Sequence, residues 1–236
     1  MNLVFCVVHT ERLHDDNTWK RLQFALRLLK SRNNHATFFI YPFRAIIRNF
    51  DIQDRLQCLF ANGHEIGQHT HFYDGEITEG PEKKDNLTPE NINQCIKRDY
   101  EFLKHAGFVP RGFTSGAWMV TPALFDSLTS LRFVYDCSSR AKALCQGKAS
   151  SNYRQQEDVS SVLINNDRLL TIPTTHSLKD ILGLNSRRRV HTLREGYNYQ
   201  LIYLHDYDLL NWKILMAFLL FSQTCSNSVT LETVAF

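Results

Sequence analysis

The chain contains no run of about 18 apolar residues, the length a membrane helix needs. Its most apolar stretch, Ile214 to Phe221, is shorter and reads as a buried helix. Charge of one sign is also scarce: Lys and Arg number 27, Asp and Glu 24, for a net charge of +3. That excludes the electrostatic footprint of a dedicated nucleic-acid binder. The only basic cluster, Arg187-Arg188-Arg189, fits a solvated loop, or a contact for an anionic substrate or membrane surface. The six cysteines are scattered, with no C-x-x-C pair. A zinc-finger or disulfide scaffold is therefore a poor fit, and free thiols in a reducing compartment fit better. The N-terminus lacks a basic segment followed by an apolar stretch and a small-residue cleavage site, so the expectation is a cytoplasmic protein. No glycine-rich phosphate loop follows any strand-like segment, which disfavours a dinucleotide enzyme. Repeats and low-complexity linkers are missing too.

What is present is a globular composition. Charged residues make up 22% and hydrophobic residues 43% of 236 positions, enough for a single core and a single domain over residues 1–236. Strand-like and helix-like segments alternate. Leu3–His9 is strand-like, and Thr18–Leu29 carries a helical apolar stripe. Ala36–Ile40 is a short apolar run suited to a strand covered on both faces. Ile52–Phe60 is helical, with Gly63 just past its end, and His64–Gln68 is the next strand. Thr88-Pro89 and Thr121-Pro122 each open a helix, with Thr as N-cap and Pro at the first helical position. Gly112–Thr114 and Phe133–Cys137 are brief strands between and after them. Ser161–Ile164 and Leu169–Ile172 flank a hairpin turn. Leu201–Leu204 is a strand, Asn211–Ser222 a helix and Val229–Leu231 a last short strand. Strands alternating with helices predict a mostly parallel α/β sheet, closed or nearly closed into a barrel.

In such a barrel the working residues sit at the C-terminal ends of the strands. The first strand ends in His9-Thr10-Glu11, with Asp15-Asp16 beyond. The third ends in His69-Thr70-His71-Phe72-Tyr73. The late strand ends in His205-Asp206-Tyr207-Asp208. Strand alternation puts His9 and Glu11 on one face with Phe5 and Val7, and likewise pairs His69 with His71. Two imidazoles and a carboxylate suit one divalent ion with an open position for water. Zinc is the default, and the ligand types also admit Co, Ni, Fe or Mn. The plainer alternative is a set of ordinary polar residues at a barrel rim.

These segments resemble polysaccharide deacetylases of the NodB-homology type, carbohydrate esterase family 4. Gly63-His64-Glu65-Ile66-Gly67-Gln68-His69-Thr70 is similar to that family's second motif, and Ala36-Thr37-Phe38-Phe39-Ile40 to its second strand. Gly112–Trp118 stands where its third motif belongs, and Tyr203–Asp208 resembles its last motif. The resemblance implies a deformed (β/α) barrel of about seven strands and hydrolysis of N-acetyl or similar acyl groups on sugars. It implies His69 as a metal ligand and His205 as the acid that protonates the leaving amine, with Asp206 or Asp208 orienting it.

The motifs also depart from the family pattern. Where the family has adjacent aspartates, this chain has His9-Thr10-Glu11. Glu11 then becomes the ligand and His9 falls at the position of the base, with Asp15 or Asp16 as substitute if the loop folds back. The family's second histidine often lies four residues after the first, where this chain has Tyr73; His71 is the available replacement. Thr114 stands where the family carries an Arg that pairs with the base. Trp118 suits an apolar wall against a sugar or acyl group, or a place in the core, and Tyr73 shares that ambiguity. The leading expectation is a metal-dependent deacetylase acting on an amino sugar or glycan precursor. The alternatives are hydrolysis of another C–N bond on the same barrel, and an inactive glycan-binding homologue.

Overall fold

The computed structural model describes residues 3–72, 88–140, 159–164, 167–179, 199–224 and 230–231. Tyr73, the arginine run 187–189 and most of the 138–198 segment lie outside them. Strand β1 (Leu3–Thr10) leads into helix α1 (Asp16–Ser31). The Asp15 carboxylate caps α1 by accepting the Thr18 N–H at 2.7 Å. Leu22, Ala25, Leu26 and Leu29 form the buried stripe of α1. Strand β2 (Thr37–Ile40), the short helix α2 (Phe43–Ile47), helix α3 (Gln53–Ala61) and strand β3 (Glu65–Thr70) follow. Helix α4 (Pro89–His105), strand β4 (Gly112–Ser115), helix α5 (Pro122–Ser130) and strand β5 (Tyr135–Asp136) come next. Thr88 and Thr121 cap α4 and α5, each hydroxyl accepting an N–H three residues on at 3.2 Å. Strands β6 (Ser160–Ile164), β7 (Asp167–Thr171), β8 (His176–Ser177) and β9 (Tyr199–His205) precede helix α6 (Trp212–Thr224).

The strands form one curled sheet in the order β6-β7-β5-β4-β3-β2-β1-β9-β8. Every pairing is parallel except β6 with β7. The stretch from β7 to β8 spans both ends of the parallel set. Ile172 N–H donates to Asp136 O at 2.8 Å and Thr174 N–H to Ser139 O at 3.0 Å, on the β5 side. Thr175 N–H donates to Leu201 O at 3.1 Å, on the β9 side. Counting β7 and β8 as one staggered strand gives the deformed barrel, with β6 as an antiparallel flap outside it.

The barrel has two apolar compartments on β1. Cys6 and Val8 point outward to α1 and α3 in the largest core cluster. Phe5 and Val7 point inward with Phe39, Tyr135, Tyr199 and Leu201. Continuing the period of two puts His9 on the inward face at the top of that stack.

The expected strand Phe133–Cys137 is only two residues long, although Val134 N–H and Cys137 N–H still bond to Arg111 O and Phe113 O at 2.8 Å. Leu231 is not in a strand; it is buried, and its N–H donates to Thr37 Oγ1 at 3.2 Å. Val229, in the same expected strand, lies outside the described residues. Among the described residues no helix is long and apolar enough to cross a membrane.

Candidate active site

The β1–β9 seam builds the floor of the site. His9 and His205 are register partners across these strands. Just beyond them the buried Asp206 carboxylate collects three backbone N–H groups: Glu11 at 3.2 Å, Arg12 at 2.8 Å and Tyr207 at 2.8 Å. Burial raises the Asp206 pKa to about 7 against the pull of those amides. Asp206 thus fixes the backbone from which Glu11 projects and leaves the orientation of His205 to another group.

That group is Asp208. Its Oδ2 accepts the His205 N–H at 3.0 Å and lies 3.4 Å from His205 Nδ1. Lys179 Nζ pairs with the other oxygen at 2.5 Å. Burial of Asp208 works against its charge, but His205 and Lys179 outweigh it and hold the carboxyl below its ordinary pKa. His205 Nε2 then faces Glu11 Oε1 at 3.6 Å. The Tyr207 ring stacks on the His205 ring at 4.9 Å and 15°.

Glu11 is the hub. Its Oε1 lies 3.2 Å from His71 Nε2 and 3.5 Å from His69 Nε2. Burial would raise its pKa, but the two imidazoles hold it far below the carboxylate range, so it is ionised. On β3, the period of two sends His69 inward, while Gln68 and Thr70 point out to α4. There Gln68 Nε2 donates to Ile96 O at 2.9 Å and Thr70 Oγ1 to Asp99 at 2.9 Å. His69 Nδ1 bonds the Thr114 carbonyl at 2.9 Å, which leaves Nε2 as the lone-pair atom. That Nε2 is buried without a hydrogen-bond partner. Ligand atoms of Glu11, His69 and His71 all lie within 4.8 Å of one another. A buried, unpartnered imidazole nitrogen oriented by a carbonyl, beside an ionised carboxylate and a second imidazole, fits a divalent cation.

His9 stands deeper. Its ring stacks on Tyr203 at 5.2 Å and lies 5.4 Å from Trp118 and 4.8 Å from His69. Burial first, then the neighbouring His69 and His205, lower its pKa well below the ordinary value. Its Nε2 has no hydrogen-bond partner. Trp118 reaches this place through a short turn in which Ala117 and Trp118 adopt left-handed φ values of 49° and 58°. Such conformations are costly for residues with side chains.

The structure therefore brings Glu11, His69, His71, His205, His9 and Trp118 together. It does not bring Asp16, which lies on the exposed first turn of α1 and pairs with Arg55. Asp15 is occupied as the α1 cap. Thr114 serves through its main-chain carbonyl, its side chain being fully buried. Tyr203, Lys179 and Arg140 also belong to the site's surroundings. Tyr203 was detectable as the residue two before His205 on the same strand face. Lys179 and Arg140 come from the segment without motifs and left no signal.

Residues 13–115 match the polysaccharide deacetylase family. Over that part the chain is similar to polysaccharide deacetylases. No curated protein matches it significantly in sequence. Among solved structures, a Mycobacterium smegmatis protein assigned to the polysaccharide deacetylases superposes with TM-score 0.68 at 14% identity, over 99% of this chain and 89% of that one. A family 4 carbohydrate esterase of Streptomyces lividans, solved with acetate, gives 0.57 at 14% identity, over 94% and 87%. A family 4 pseudoenzyme of Bacillus anthracis gives 0.56 at 11% identity, over 100% and 66%. The barrel fold is thus shared with one protein described as a carbohydrate esterase and with one described as a pseudoenzyme.

Proposed function

We propose that this chain is a metal-dependent hydrolase that removes an N-acetyl or similar acyl group from an amino sugar or glycan precursor. The observation that carries the reading is the Glu11-His69-His71 cluster facing the Asp208-oriented His205 across 3.6 Å. Glu11 Oε1, His69 Nε2 and His71 Nε2 would hold the ion, zinc being the first to test. Held there, a divalent ion would supply Lewis-acid polarisation of the acyl oxygen and a lowered pKa for a nearby water. Hydrolysis consumes one water: its hydroxyl joins the acyl carbon and its proton goes to a base. His9 Nε2, neutral and unpartnered, is the basic atom on the floor of the site. His205 Nε2 delivers a proton to the departing nitrogen as the C–N bond breaks, and Asp208 stabilises the imidazolium that precedes the transfer. Trp118 and Tyr203 close the apolar wall.

The second reading, a metal-binding but inactive homologue, is favoured by the depth of His9. A histidine whose pKa is pushed so far down is a weak base. One experiment separates the two: metal content per chain, measured on protein purified without a metal-affinity tag, alongside His69→Ala and acetate release from N-acetylated sugars. We expect about one transition metal per chain, lost in the variant, with acetate released. Metal without release from any acylated sugar selects the inactive homologue. Failure to bind Zn, Co, Ni or Mn overturns the hydrolase mechanism.

A further inference from the structure

Four described cations near the barrel mouth divide into two kinds. Arg55 pairs with Asp16, and Lys179 with Asp208. Arg12 and Arg140 have no carboxylate partner among the described residues. Arg12 is exposed, its guanidinium 5.0 Å above the Tyr207 ring. Arg140 is partly buried. Its backbone is held by a parallel bridge to Thr174, within the stretch that closes the barrel. Its guanidinium carbon lies 4.3 Å from the centre of the Trp118 ring, and Nη2 donates to Tyr203 Oη at 3.3 Å. Its Nε is buried with no hydrogen-bond partner.

Trp118 and Tyr203 both pack on His9. The guanidinium is therefore one aromatic ring away from the floor of the acyl site, oriented by both walls. Partly burying a guanidinium without a counter-charge, with its Nε unpaired, is unfavourable unless something supplies the anion. A neutral sugar can accept hydrogen bonds from it but cannot neutralise it. A phosphate or carboxylate does both, through the paired donors of the fork.

We infer that Arg140 binds an anionic group, phosphate or carboxylate, carried by the acylated amino sugar. The site then selects charged precursors over neutral glycan ends. The inference rests on the amino-sugar reading for its substrate class, while its test does not need turnover.

The test is calorimetric titration of the full chain, with and without added zinc, by three ligands. These are N-acetylglucosamine, N-acetylglucosamine 1-phosphate and N-acetylmuramic acid. At least one charged sugar should bind about tenfold or more tightly than the neutral one, a gap expected of a charge-assisted fork. The phosphate and the carboxylate ligands show which anion is read. Arg140→Gln should bring the charged sugars down to the neutral one's affinity. Arg140→Lys, the variant that keeps the charge without the fork, should retain only part of the preference. Equal binding of all three sugars, a preference that survives in Arg140→Gln, or no binding at all overturns the inference. Acetate release in the same samples keeps the two readings apart. Charge preference without release sinks only the hydrolase, and release without charge preference sinks only the role of Arg140.

Discussion

Thr114 and Asp208 do the same work on two different histidines. Each occupies a ring Nδ1 and so dedicates Nε2 to the site, at His69 through a carbonyl and at His205 through a carboxylate. The consequence differs because the partners differ. A neutral carbonyl leaves His69 Nε2 without a counter-charge behind it, whereas the Asp208 carboxylate puts a negative charge behind the His205 ring. His205→Ala should therefore lower turnover by ~100-fold or more, the usual contribution of a general acid. It should do so with the metal still bound, since His205 is outside the ligand cluster. A steady-state assay beside metal analysis checks both halves, and unchanged turnover removes His205 from the mechanism. The placement of Glu11, His69 and His205 at one site was legible in the sequence because strand ends are where a parallel barrel displays polar side chains. The division of labour between Asp206 and Asp208 was not. Two carboxylates in one turn look alike until it is known which one points at the amides of another strand.

Glycine on β3 and β4 explains how large rings fit inside a narrow barrel. A Cβ at Gly67 would lie 2.5 Å from Phe39 Cδ1, and one at Gly112 would lie 2.0 Å from Tyr135 Cζ. The two missing side chains make room for the inward rings of Phe39 and Tyr135, which pack edge to face, with Phe39 in turn edge-on to His9. Gly67→Ala and Gly112→Ala should each destabilise the fold by about 1–3 kcal/mol, the range for overpacking a close-packed interior. Urea midpoints read this directly, and a shift of less than a few tenths of a molar would refute it. Strands β1 to β4 and helices α1, α3, α4 and α5 were foreseeable from period, cap and terminator. Helix α2 was not, because five residues after Pro42 carry no period to detect. The stretch holding β7 and β8 was only half legible: the hairpin was readable, but its crossing from β5 to β9 depends on tertiary pairing alone.

One buried histidine makes part of the whole molecule's stability sensitive to mild acid. His64, buried at the base of β3, accepts the Ala36 N–H on Nδ1 at 3.3 Å and so must be neutral there. Burial, then His35, lowers its pKa from 6.5 to about 4. An unfolded chain binds the proton more readily, so the contribution is intact above pH 6.5 and is lost as pH falls from 6.5 towards 4. The loss from this residue approaches ~3 kcal/mol at the low end. Asp99 and Asp206, raised to about 6 and about 7, act in the opposite direction, so the effect is isolated by comparison with a variant. His64→Gln should flatten part of the acid-side slope in denaturation at several pH values; an identical slope would exclude His64 as its source. The cage above carries a consequence of another sort. Of the three tryptophans, Trp212 is exposed and Trp19 lies on α1 under Arg55, while Trp118 alone is walled between His9, Tyr203 and Arg140. The molecule thus holds a chromophore in contact with the groups that would meet a substrate. Its emission offers an optical record of occupancy in which no label need be attached.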